Sequence, residues 1–159
     1  MDNQRISSSP CQIPHYLNTI YNHAGTVLLN DILICGGREK GVGGNMTDAC
    51  NIYNWKTSTW KPPGSMLSHR INFGMVTVGS TAYVVGGLDL RYLKYISKVE
   101  AYVHGRWISK QSLPKPLAFA CVVALDNNTL MAMGGREGST VSKSYRNSQR
   151  VRLTTKKKN

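Results

Sequence analysis

Acidic residues are scarce in this chain: 8 Asp and Glu stand against 20 Lys and Arg among 159 residues, a formal net charge of +12. So few carboxylates leave no pair placed for acid–base catalysis. Asp31 and Asp126 read as turn residues, and Asp89 and Glu100 stand at unrelated places. Long hydrophobic runs are missing too, and no window approaches the eighteen or more apolar residues of a membrane span. The opening "MDNQRISSSPCQIPHYL" lacks a charged-then-apolar signal layout, so the expectation is a cytoplasmic protein whose Asn45 and Asn127 carry no sugar. Cysteines 11, 35, 50 and 121 form no C-x-x-C pair and show no metal-ligand spacing with His15, His23, His69 or His104. They are therefore expected as free thiols, with Cys35 and Cys121 as small core residues in apolar runs. No metal and no cofactor is expected.

A phosphate-cradling loop is also missing. "LICGGREKGVGG" at 33–44 is glycine-rich, yet it contains neither G-x-x-x-x-G-K-[ST] nor G-x-G-x-x-G. An apolar run ending in Gly-Gly occurs twice more, in "AYVVGGLD" and "LMAMGGRE". One nucleotide site needs one such loop, so three copies indicate architecture.

The chain is 41% hydrophobic and long enough for one ordinary domain. Its charge is concentrated at one end: residues 136–159 hold eight Lys or Arg against Glu137 alone, or +7 of the +12. Phosphate attraction through this tail makes nucleic-acid binding one candidate function, although Tyr145 is its lone aromatic.

The pairs Gly36-Gly37, Gly86-Gly87 and Gly134-Gly135 recur at intervals of 50 and 48 residues, a spacing that signals a radial or stacked repeat. Ahead of each lie two apolar runs separated by a polar turn: "GTVLL-ND-ILIC", "GMVTV-GST-AYVV" and "ACVVAL-DNN-TLMAM". Turn residues Asn30-Asp31, Gly79-Ser80 and Asp126–Asn128 suit tight hairpins, and the apolar runs suit strands buried on both faces. After the glycines come a polar loop, then Tyr53 and Trp60 in the first unit and Tyr102 and Trp107 in the second. Each unit thus reads as four short strands. The aromatics recur in the repeat frame, so they are expected to pack between units, and His23 and His69 are expected as packed or surface imidazoles.

Gly-Gly, then Tyr, then Trp, then "SMLSHR" or "SLPKP" in a fifty-residue period resembles the kelch repeat over roughly residues 20–153. The resemblance implies an all-β chain: a partial kelch-type β-propeller of two complete four-stranded blades (21–69 and 70–116) and an incomplete third (117–153). Residues 1–20 are expected as a leading segment able to supply the last strand of a preceding blade, and 154–159 as a basic tail. The arginine usual before the first strand occurs as Arg70 alone. The third unit stops at "TTKKKN" before any Trp. Two and a half blades cannot close a ring of the usual four to eight or so, so the expectation is membership of a longer product, self-association, or an open array stabilised by neighbouring blades.

The resemblance also implies a non-enzymatic module that binds a protein partner, as a substrate adaptor or an actin-associated protein, with nucleic-acid binding through the basic tail as its rival. In an antiparallel meander the loop after strand two and the link between blades emerge on one face. That face is expected to gather Arg38, Lys40, Arg70, Asp89, Arg91, Tyr92 and Arg136 into a site for an acidic partner.

Overall fold

The computed structural model describes residues 19–41, 44–138 and 148–153. The leading segment up to residue 18, the stretch 139–147 and the tail 154–159 lie outside the described residues. Within them there are strands and no helix. Strands β1 (Ile20–Tyr21), β2 (Ala24–Leu28), β3 (Asp31–Cys35), β4 (Arg38–Glu39), β5 (Cys50–Asn54) and β6 (Thr59–Lys61) come first. They are followed by β7 (Gly74–Val78), β8 (Thr81–Val85), β9 (Leu88–Asp89), β10 (Lys94–Tyr95), β11 (Val99–Val103) and β12 (Arg106–Lys110). The last are β13 (Cys121–Asp126), β14 (Thr129–Met133) and β15 (Ser148–Arg152). Three antiparallel meanders result: β2-β3-β5-β6, β7-β8-β11-β12 and the three-stranded β13-β14-β15, here called blades 1, 2 and 3. The sheets do not close into a barrel.

Strand alternation assigns each face of a blade to one neighbour. From β8, Ala82 and Val84 join Leu28, Leu33, Met66, Phe73 and Trp107 in the core between blades 1 and 2. Tyr83 and Val85 point the other way, meeting Leu113, Leu117, Leu130, Ala132 and Val151 between blades 2 and 3. Burial on both faces therefore holds for β8, but β13 is largely exposed along its length. The middle blade has a neighbour on each side, whereas each outer blade meets one described blade. The innermost strands β2, β7 and β13 lie side by side, and Thr26 and Thr77 hydroxyls meet at 3.0 Å.

Four local readings need correction. The first hairpin turns at Leu29 and Asn30, with φ of 50° and 74°, while Asp31 already belongs to β3. An exposed leucine thus takes the left-handed position that asparagine and glycine fill more readily. The third hairpin carries a register shift between Ala124 and Asp126, and the Asp126 carboxylate accepts the Asn128 N–H at 2.6 Å. Cys35 and Cys50 are not free thiols. They face each other across the β3–β5 ladder with Cα atoms 4.1 Å apart and form a disulfide. Cys121, expected in the core, is exposed.

The glycine pairs mark where the link into the next blade crosses the end of the second strand. Gly87 donates to Leu117 O at 2.8 Å, and Gly37 donates to Arg70 O at 3.1 Å. At Gly86, with φ of 65°, an added Cβ would lie 2.2 Å from Leu117 O. The backbone at that crossing admits no side chain.

Candidate functional site

The loop between β8 and β11 folds back as the short β9–β10 ladder, pairing Asp89 with Lys94 and Leu88 with Tyr95. At its tip Leu93 donates to Leu90 O at 3.3 Å, leaving Tyr92 and Leu93 75% and 80% exposed. Asp89 anchors the tip. Its Oδ1 accepts the Arg91 N–H and Nε–H, both at 3.0 Å, and its Oδ2 accepts from Nη2 at 2.7 Å. The hydrogen bond from Arg91 holds the Asp89 carboxyl below its ordinary range, against burial. The same pairing raises the Arg91 pKa. The guanidinium also lies 5.5 Å from the Tyr92 ring centre, within cation–π range.

Beside this tip is a concavity of about 470 Å³. Arg91, Tyr92, Lys94, Tyr95 and Lys98 line one side, with Leu67, Ser68 and Pro116 from the inter-blade links on the other. Lys98 Nζ donates to Ser68 Oγ at 3.2 Å. The lining is cationic and aromatic, with Asp89 its single carboxylate.

Arg70 does not belong to this surface. It is wholly buried beneath it, where Nη1 donates to Gly86 O at 2.8 Å and to Lys98 O at 3.1 Å. Its Nη2 pairs with the carboxylate of Glu100, itself 1% exposed. Glu100 Oε2 in turn accepts the Leu67 N–H at 2.7 Å. Burial lowers the Arg70 pKa, and the charge of Glu100 opposes that shift. A cation held this way cannot reach a partner. It fixes the link bearing Leu67 and Ser68 to the strand that carries Lys98.

Of the other anticipated residues, Asp89, Arg91 and Tyr92 come together, while Arg38, Lys40 and Arg136 lie outside the lining. Arg38 Nε donates to Gly44 O at 2.8 Å within its own loop, and Lys40 is exposed nearby. That loop reaches blade 2 where the Leu90 N–H meets Met46 Sδ at 3.0 Å. Arg136 is exposed and stacks over Phe119 at 5.6 Å. Lys94 of the same loop also lines it, together with Tyr95, Lys98 and Ser68, and nothing in the sequence groups these last three. No cluster of three or more metal-ligating side chains occurs among the described residues. No helix among them is long and apolar enough to cross a membrane.

The aromatic pairs form within blades, Tyr53 with Trp60 at 4.9 Å between ring centres and Tyr102 with Trp107 at 5.3 Å. Tyr102 and Trp107 also enter the core between blades 1 and 2. Tyr53 and Trp60 lie on the opposite side of blade 1, opposite Ile32 in the ladder.

No family model matches the chain. Over 105 residues it is 26% identical to Kelch repeat protein C2 of Vaccinia virus (strain Western Reserve). The protein of the same name from Cowpox virus (strain GRI-90 / Grishak) is 26% identical, and that from Camelpox virus (strain CMS) is 25% identical. Each match takes in 65% of this chain and 20% of the relative, so the chain spans about a fifth of the length of the curated relatives it matches.

Proposed function

We propose, from the premise that this chain is a distant member of the kelch-repeat proteins, that it is a non-enzymatic protein-interaction module. Its blade 2 concavity holds an acidic segment of a partner protein. One observation carries this reading: Arg91, Lys94 and Lys98 ring a concavity whose walls include Tyr92 and Tyr95. Ammonium groups attract carboxylates without demanding one geometry, and tyrosine adds contact area with little entropy to lose. Arg91 is oriented in advance by Asp89. The loops of blades 1 and 3, with Arg38, Lys40 and Arg136, add charge around that centre and steer the approach.

Binding of fluorescent peptides of equal length, one Glu-rich, one neutral and one Lys-rich, tests the reading. The Glu-rich peptide is expected to bind with an affinity that falls as salt rises. Lys94→Glu with Lys98→Glu, both exposed positions, is expected to abolish binding without moving the melting curve. Equal binding of all three peptides, or full binding by the double variant, refutes the site.

A further inference from the structure

The blade 2 concavity has apolar walls that its charges do not account for. Leu67 lines it from the inter-blade link and is 57% exposed. The backbone holds that side chain outward. Met66 before it is buried in the core, Ser68 after it is buried too, and the Leu67 N–H is fixed on Glu100 Oε2 at 2.7 Å. Tyr92 lines the other wall, and Leu93 stands at the rim between Tyr92 and Lys94. Leu93 adopts a φ of 47° while its side chain is 80% exposed. Left-handed backbone suits glycine and asparagine better than leucine, and Asn22, Asn30 and Asn72 do hold such φ values in this chain. The turn would close more readily with asparagine, so the fold gains nothing from leucine there. Apolar side chains set on fixed backbone and left in water on both sides of a cationic pocket point to a ligand that covers them.

We infer that the concavity takes an acidic segment that also carries a large apolar side chain, clasped between Leu67 and the Tyr92–Leu93 tip. This rests on the acidic-partner reading above and narrows it. Charges and apolar groups divide the task. Arg91, Lys94 and Lys98 attract carboxylates from a distance and are screened by salt, whereas the leucines act only on contact, through the area they bury. Both halves are set before the ligand arrives, Arg91 by Asp89 and Leu67 by Glu100, which limits the ordering cost of binding. A segment with carboxylates alone leaves the leucines wet. An apolar segment without them leaves the cations unmatched. Selectivity therefore lies in the combination.

Two fluorescent peptides of equal length and equal charge test it on the full chain. One is built of Glu and Ser, and the other differs only in one central Ser replaced by Leu. The Leu peptide is expected to bind about tenfold tighter, equivalent to about 1.4 kcal/mol. That ratio is expected to persist as added salt weakens both peptides, because screening acts on the charges. Leu93→Asn and Leu67→Ser are each expected to bring the ratio toward one. Leu93→Asn is also expected to keep or raise the urea midpoint, since asparagine takes the left-handed position more readily. Equal binding of the two peptides by the wild type overturns the clasp and leaves the acidic site standing, whereas binding of neither overturns both. The full ratio retained by both variants also overturns it, because the peptide's leucine is then held elsewhere. So does a lower midpoint for Leu93→Asn, which makes that leucine a residue of the fold.

Discussion

Replacing Glu100 by alanine removes the carboxylate that meets Arg70 in the interior and leaves two groups without their partner. The Arg70 guanidinium remains wholly buried, its Nη2 loses its acceptor, and the Leu67 N–H loses its bond at 2.7 Å. Breaking a buried ion pair from one side typically costs about 3–5 kcal/mol, because the remaining charge stays desolvated. An orphaned buried N–H adds about 1–3 kcal/mol, though the two costs overlap and do not simply sum. Against a total stability of about 5–15 kcal/mol, Glu100→Ala should bring the protein close to unfolding at room temperature. The double variant Arg70→Met, Glu100→Gln removes both charges, keeps an acceptor for Leu67 and retains most of the side-chain volume. It is expected to be more stable than Glu100→Ala, since replacing a whole buried pair is often near neutral. Urea unfolding followed by tryptophan fluorescence measures all three proteins. A loss below about 1 kcal/mol for Glu100→Ala, the size of an ordinary surface change, would refute the buried pair. So would a double variant less stable than Glu100→Ala.

Trp107→Ala should cost about 3–5 kcal/mol, the usual figure for a buried aromatic, and Trp60→Ala less, because Trp60 is half-buried; equal shifts in urea midpoint would contradict the assignment of Trp107 to the core between blades. Asp89 should titrate below about 3.9, its unfolded value, because Arg91 favours its charged form. Its contribution to stability is thus complete above that value and lost as pH falls through the lower folded value, and NMR titration with Arg91→Ala as control should show the shift disappear. Alkylation of the folded, unreduced protein should label Cys121 and spare Cys35 and Cys50, and labelling of all three would rule out the disulfide.

The parts of this fold that rest on near neighbours were legible in the sequence. Apolar runs, hairpin turns and the recurring Gly-Gly, Tyr and Trp positions express local chemistry, and they locate three meanders. Arg70 was misread because its position in a link suggests solvent, while its burial depends on Glu100 thirty residues ahead. A signal for that partner was present. Asn51, Glu100 and Gln149 recur at intervals of forty-nine residues as the polar second residue of each third strand. Glu100 takes the Leu67 N–H from the preceding link, and Gln149 takes the Lys115 N–H at 3.0 Å in the same manner. A polar residue at this place thus ties blades 2 and 3 each to the link that enters it. The cysteine pair carried no such signal. Its spacing of 15 residues fits no motif, and only the register of β3 against β5 sets the two sulfurs side by side. Of the candidate site, the acid, the arginine and the tyrosine of one loop were recognised together. Lys98 beside them was not, because it stands in the link between β10 and β11 and reaches the site only where that link meets Ser68.

The Cys35–Cys50 bond encloses the whole loop that carries Arg38 and Lys40. A protease cutting after either basic residue would therefore not separate the chain. The two pieces would migrate as one band on a non-reducing gel and part only when thiol is added. With β3 and β5 still hydrogen-bonded, a nicked molecule would keep its first blade, and a foreign sequence spliced into this loop would be displayed as a tethered ring at the rim of the sheets.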